Sequence, residues 1–262
     1  MKLGAVGLAV CWAVAGLVLA ILYGPLLLVV VASFFPLRQG QVQWAQFSLD
    51  NYAKLMANSG ILEALGNTLL VGIVAVVLAT VLGTFLAFYY DRSRTRAREL
   101  LQLLVFLPFL MPPIVTGLAL LIWFRDLAID RSLLTIVIGH TLLILAVVYR
   151  TVLVRLQALG PRLVEASLDL GATPAQTFRH VLLPNLGSAI AASALLAFAL
   201  SFDETIVTLL VTGTTNTLPI RLWSMMRLGF TPDINALVVL VLAFTTVVCL
   251  ATARFLGPRG LG

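Results

Sequence analysis

The 262-residue chain is 61% hydrophobic and only 11% charged, against roughly 25% charged in an ordinary soluble domain; this excludes a water-facing globule and reads as a multispanning membrane protein. The net charge of +6 would suit a nucleic-acid partner, but the basic residues stand where they orient hydrophobic runs, so no such partner is needed. Cys11 and Cys249 each lie inside an apolar run and form neither a disulfide framework nor a metal-binding spacing.

Residues 3–37 hold no charge, more than the ~20 residues that cross a bilayer. Lys2 ahead of them imitates a signal peptide, but a signal's apolar region runs only about 7–15 residues. A retained first span over about 5–33 is expected, with a bend or its outer end near Gly24-Pro25. From Pro36 to Ile61 the chain turns polar, with Trp44, Phe47 and Tyr52 among Arg38, Asp50 and Lys54. That suits a short external segment whose aromatics favour the membrane interface.

A second span over 64–90 ends at Asp91, after which Arg92, Arg94, Arg96 and Arg98 mark the cytoplasmic side. A third, 101–124, is interrupted by Pro108 and by Pro112-Pro113. Those prolines imply a kink or unwound turn whose freed carbonyls need protein or water partners. Arg125, Asp126, Asp130 and Arg131 lead into a fourth span, 132–149. His140 within it, and His180 beyond it, are expected to be structural rather than metal ligands. A fifth span, 186–213, contains Asp203 and Glu204; a short amphipathic helix from Pro219 to Leu228 and a sixth span, 234–253, follow. With the amino terminus inside, cytoplasmic pieces carry eleven of the Lys and Arg residues and external pieces six, as the positive-inside rule requires.

Between the fourth and fifth spans lies a charged interval punctuated like two short helices joined by a tight turn. Pro161 suits a first helical position, and Gly171 the left-handed residue after a last turn. Thr173 and Gln176 make a T-x-x-Q capping box, with Pro174 opening the second helix and Pro184 stopping it. Over 161–184 a compact elbow is expected to project from the membrane.

The elbow resembles the cytoplasmic E-A-A-x3-G-x9-I-x-L-P signature of ABC importer permeases. Glu165, Ala166, Gly171, Leu183 and Pro184 match it, with Ser167 for the second Ala and Val181 for Ile. The resemblance implies an all-α membrane protein with the type I ABC importer permease fold: six transmembrane helices in one domain, both termini cytoplasmic, and the elbow as a coupling helix. It implies a bacterial inner-membrane location and four kinds of partner: a homologous second permease, two ATPase subunits, a solute-binding protein and membrane lipid. Glu165 is the expected polar contact to the ATPase, Gly171 sets the turn, and Leu183-Pro184 anchors the second short helix. The chain has no nucleotide-binding glycine loop. It is therefore expected to be a transport subunit rather than an enzyme, with no cofactor of its own and with ATP and Mg held by the ATPase.

Ionisable residues inside a span cost roughly 2.5–3.5 kcal/mol each and usually mark a pathway or a partner. Asp203 and Glu204 are two such residues side by side. Neighbours on a helix point about 100° apart, so both face one lumen only if the helix is broken there. Either one lines a conduit while the other pairs with a neighbouring helix, or they form an acidic pair at the outer interface, neutralised by Arg221 or Arg227. Ser201-Phe202-Asp203-Glu204, Val211-Thr212-Gly213, Leu218-Pro219, Trp223-Ser224-Met225 and Pro232-Asp233-Ile234-Asn235-Ala236 resemble the polyamine permeases of the spermidine/putrescine type. A polycation needs carboxylates to replace water around each ammonium, and Phe202 and Trp223 are the nearest aromatic faces for cation–π attraction. The alternatives are a permease of the same fold for another solute, such as an amino-phosphonate, iron or another organic cation, and a secondary transporter.

Overall fold

The computed structural model describes residues 5–38, 41–228 and 233–255. They form two compact units, one holding the chain up to Gly60 with Leu222–Leu250, the other centred on Ile61–Arg221.

In the first unit, α1 (Ala5–Ala32) is apolar on every side and carries Pro25 in its interior. Trp12, Leu22 and Leu27 are exposed along it, as suits a helix whose solvent is lipid or a partner helix. The chain then folds over the end of α1. Strands β1 (Leu37–Arg38) and β2 (Gln41–Val42) pair antiparallel, and α2 (Asp50–Ala57) comes next. The Asn51 side-chain amide donates to the carbonyls of Ser33 and Phe35 at 2.9 and 3.0 Å, and the Ser33 hydroxyl lies 2.7 Å from the Tyr52 hydroxyl. Phe34 stacks on Phe47. The polar, aromatic-rich stretch is thus a folded cap on α1.

The second unit starts with α3 (Ser59–Arg92), α4 (Ala97–Leu110), α5 (Pro113–Asp126) and α6 (Leu133–Leu159). It continues with α7 (Pro161–Asp169), α8 (Pro174–Gln176), a π-helical turn (Thr177–Leu182), α9 (Leu183–Asp203) and α10 (Ile206–Val211). The remaining helices of the chain are α11 (Leu218–Leu228) and α12 (Asp233–Phe255). The central member of the second unit is α6, whose Val148, Tyr149, Val152 and Leu153 are buried against Ala75, Ala79 and Ala87 of α3, Val105 of α4 and Leu186 and Ala197 of α9. The small side chains of α3 recur at multiples of four residues and let two backbones approach closely.

Among the described residues four helices are long and apolar enough to cross a membrane: Gly7–Ala32, Ser59–Arg92, Leu133–Leu159 and the continuous run Pro174–Asp203. The pair α4–α5 makes a fifth if counted as one broken span. The sixth expected span coincides with α12, where the apolar stretch Ile234–Val247 is, among the described residues, too short to qualify by itself. The expected kink in the third span is larger than a kink: α4 and α5 meet at 107°. Met111 and Pro112 are both extended there, and two consecutive prolines offer no amide to continue the helix. The Pro108 carbonyl is met by the Thr116 hydroxyl at 3.3 Å.

Pro184 does not stop the elbow's second helix. The chain passes from α8 through the π-helical turn into α9 without interruption. The Leu183 amide reaches back five residues to the Phe178 carbonyl, which accommodates a proline that cannot donate in the α register. Side chains meet the loosened carbonyls: His180 Nδ1 lies 3.2 Å from the Gln176 carbonyl, and the Asn185 amide donates to Val181 at 2.7 Å.

Candidate functional site

Two helix breaks meet at one cavity. Phe109, Met111 and Pro113 line it from the α4–α5 corner, Leu200, Ser201 and Glu204 from the end of α9, and His140, Leu143 and Ile144 from α6. Its volume is about 140 Å³. The break after α9 has a local cause: Glu204 is extended, with ψ 114°, and its own side chain caps α10. One Glu204 carboxylate oxygen accepts the Val207 amide of α10 at 2.9 Å. The carboxylate thus sits beside the positive end of α10.

The break is also held from the side. His140 Nδ1 lies 2.7 Å from the Ser201 hydroxyl on the last turn of α9, and Nε2 lies 2.7 Å from the Thr208 hydroxyl on α10. Thr208 in turn donates to the Glu204 carbonyl at 2.9 Å. Close approach of α10 requires glycines on both neighbours. A Cβ on Gly139 would stand 2.9 Å from Val207 Cγ1, and one on Gly117 2.7 Å from Leu210 Cδ1.

The helix is broken at the acidic pair, yet the two carboxylates do not share the cavity. Glu204 lines the cavity, whereas Asp203 is exposed and does not. Among the described residues neither carboxylate forms an ion pair with Arg221. Phe202 packs on Phe198 with centroids 5.9 Å apart. Trp223 belongs to α11, and the Arg227 guanidinium stands 3.8 Å over its ring; that face already holds a cation.

The elbow is built as its sequence suggests at the turn. Gly171 has φ +83°. Its amide bonds the Leu168 carbonyl at 2.9 Å, and the Ala172 amide the Ser167 carbonyl at 3.2 Å; together these make a Schellman motif. Thr173 and Gln176 exchange both bonds of a capping box. Glu165 and Ala166 are exposed on α7, and Leu170 at the tip is 89% exposed. Leu183 and Pro184 are exposed, while Leu182 and Leu186 beside them are buried. The T-shaped contact of Phe178 with Phe88 ties the elbow to the end of α3.

A bundle of apolar helices broken at a largely apolar cavity that holds one carboxylate, with an amphipathic elbow leading straight into one of them, is the architecture of a solute permease. The chain belongs to the family of binding-protein-dependent transport system inner membrane components, whose model matches residues 79–257. It is thus an inner-membrane transport component, not an enzyme. It is 32% identical over 234 residues to the spermidine/putrescine transport system permease protein PotC of Escherichia coli strain K12, covering 89% of this chain and 88% of the relative. It is 35% identical over 235 residues to the putrescine permease PotI of the same strain, covering 87% and 83%. The sulfate permease CysT of Salmonella typhimurium strain LT2 is 34% identical over 191 residues, covering 68% and 69%. In fold it resembles a chain of a bacterial ABC transporter that imports alginate, with TM-score 0.73 at 15% identity, covering 96% of this chain and 93% of that one. It also resembles the methionine ABC transporter MetNI, with TM-score 0.64 at 20% identity, covering 78% and 96%.

Sequence reasoning passed over His140, Ser201 and Thr208 as site residues. A histidine inside a span was the available signal, since a polar ring in lipid requires partners. The Ser167 hydroxyl, 3.0 Å from that of Thr177, is invisible in a motif where the residue simply replaces an alanine.

Proposed function

We propose that this chain is a translocating subunit of an ATP-driven importer of polyamines, putrescine or spermidine. The observation that carries the reading is Glu204, a carboxylate set at a helix break on the wall of a largely apolar cavity. One of its oxygens is bonded to α10, and the other takes no bond from any described residue. A carboxylate with an uncommitted oxygen beside apolar walls suits an ammonium shedding its water. The likeness to PotC and PotI supports the same cargo.

In this reading the chain is a single permease domain of six spans with both termini cytoplasmic. It pairs with a homologous permease, two ATPase subunits that hold ATP and Mg, and a solute-binding protein. The exposed face of α7 with Glu165 and Ala166, and the turn at Gly171, meet the ATPase. The continuous run 174–203 then spans about 45 Å at 1.5 Å per residue. Displacement at the elbow is thereby delivered to Glu204 along one helix, and the cavity alternates between the two sides.

The test is uptake of labelled putrescine and spermidine by cells lacking the gene and then regaining it, with the partner genes intact. Restored uptake is expected. No polyamine uptake, with restored uptake of sulfate or another solute instead, would replace the cargo while keeping the machine; the likeness to CysT makes sulfate the first alternative to assay.

A further inference from the structure

We propose that His140 is a positioning residue: its ring clamps the two halves of the broken α9–α10 helix and thereby fixes where the Glu204 carboxylate stands in the cavity. The proposal rests on the reading of that cavity as the cargo path.

A short break between helices is ordinarily a hinge. Here Ser201 lies on the near side of the break and Thr208 on the far side, and α6 reaches both with a single ring at 2.7 Å each. The protons can be counted. A carbonyl oxygen can only accept, so Thr208 spends its hydroxyl proton on Glu204 and must accept from His140 Nε2–H. In the neutral ring Nδ1 is then the acceptor, and the Ser201 hydroxyl donates to it. This tautomer follows from the bonding pattern. Both ring nitrogens are used, and the neutral ring sets no positive charge against an incoming ammonium.

His140, Ser201 and Thr208 are 3%, 2% and 0% exposed, so losing one bond strands a polar group in an apolar interior. The Glu204 main chain and side chain are both tied to α10, through Thr208 and the Val207 amide. Whatever fixes α10 therefore fixes the carboxylate. Gly139, next to His140, gives α10 room to lie against α6.

The test compares Thr208→Val, which keeps the shape and removes the acceptor, with Thr208→Ser, which keeps the hydroxyl. Thr208→Val should raise the KM for putrescine uptake about tenfold with a much smaller fall in Vmax at equal membrane levels, and Thr208→Ser should restore it. His140→Leu should act like Thr208→Val, and the double variant should be no worse than the more affected single. Amide hydrogen exchange of the purified protein over residues 204–211 should accelerate in Thr208→Val and His140→Leu but not in Thr208→Ser. An unchanged KM in Thr208→Val, or additive effects in the double variant, overturns the proposal. If the wild-type chain carries no polyamine, the cargo assignment fails, and exchange decides the clamp alone. Exchange over 204–211 left unchanged by both substitutions overturns the clamp.

Discussion

The hydroxyls of Ser167 and Thr177 stand 3.0 Å apart across the turn at Gly171, both buried. They join α7 to the helix that runs on to Glu204. Ser167→Ala should leave the Thr177 hydroxyl unpaired and cost about 1–3 kcal/mol. Thr177→Val should cost a similar amount, and the double variant clearly less than the sum of the two. Thermal unfolding of the purified variants measures this coupling.

Gly171 tests the turn itself. No atom lies within 4 Å of a Cβ built there, so the obstacle to substitution is the φ of +83° alone. Gly171→Val should cost roughly 1–2 kcal/mol locally and distort the elbow, leaving the protein inserted but transport uncoupled from ATP hydrolysis. Gly171→Asn, which tolerates the left-handed region, should keep much of the uptake. Normal uptake by Gly171→Val would remove the turn from the coupling path.

Gly139 tests the packing of α10. Gly139→Ala forces a methyl against Val207, an overpacking worth about 1–3 kcal/mol. Adding Val207→Ala should recover most of the loss. Melting temperatures of the two variants would show it.

Much of this arrangement was legible in the sequence. The apolar runs marked the long helices, Thr173 and Gln176 the cap and Gly171 the turn, while Asp203-Glu204, an anomaly in an apolar run, stands where that helix breaks. What escaped was set by contacts between elements distant in sequence. His140 meets Ser201 and Thr208 across more than sixty residues, and no local pattern records such a bond. The corner at Met111 exceeded expectation because a Pro-Pro pair signals a break without fixing its angle. Pro184 reads as a stop in the sequence because the penalty for an internal proline presumes the α register, and one π-helical turn relieves it.

The central claim is that Glu204, rather than its neighbour Asp203, carries the cation. Labelled putrescine uptake by Glu204→Gln and Asp203→Asn, each at wild-type membrane level, tests it most directly. Glu204→Gln keeps an oxygen for the Val207 amide but removes the charge and replaces the free acceptor oxygen with an NH2 donor, so uptake should fall by about tenfold or more, while Asp203→Asn, outside the cavity, should keep most of it. Uptake preserved in Glu204→Gln and lost in Asp203→Asn would contradict the account.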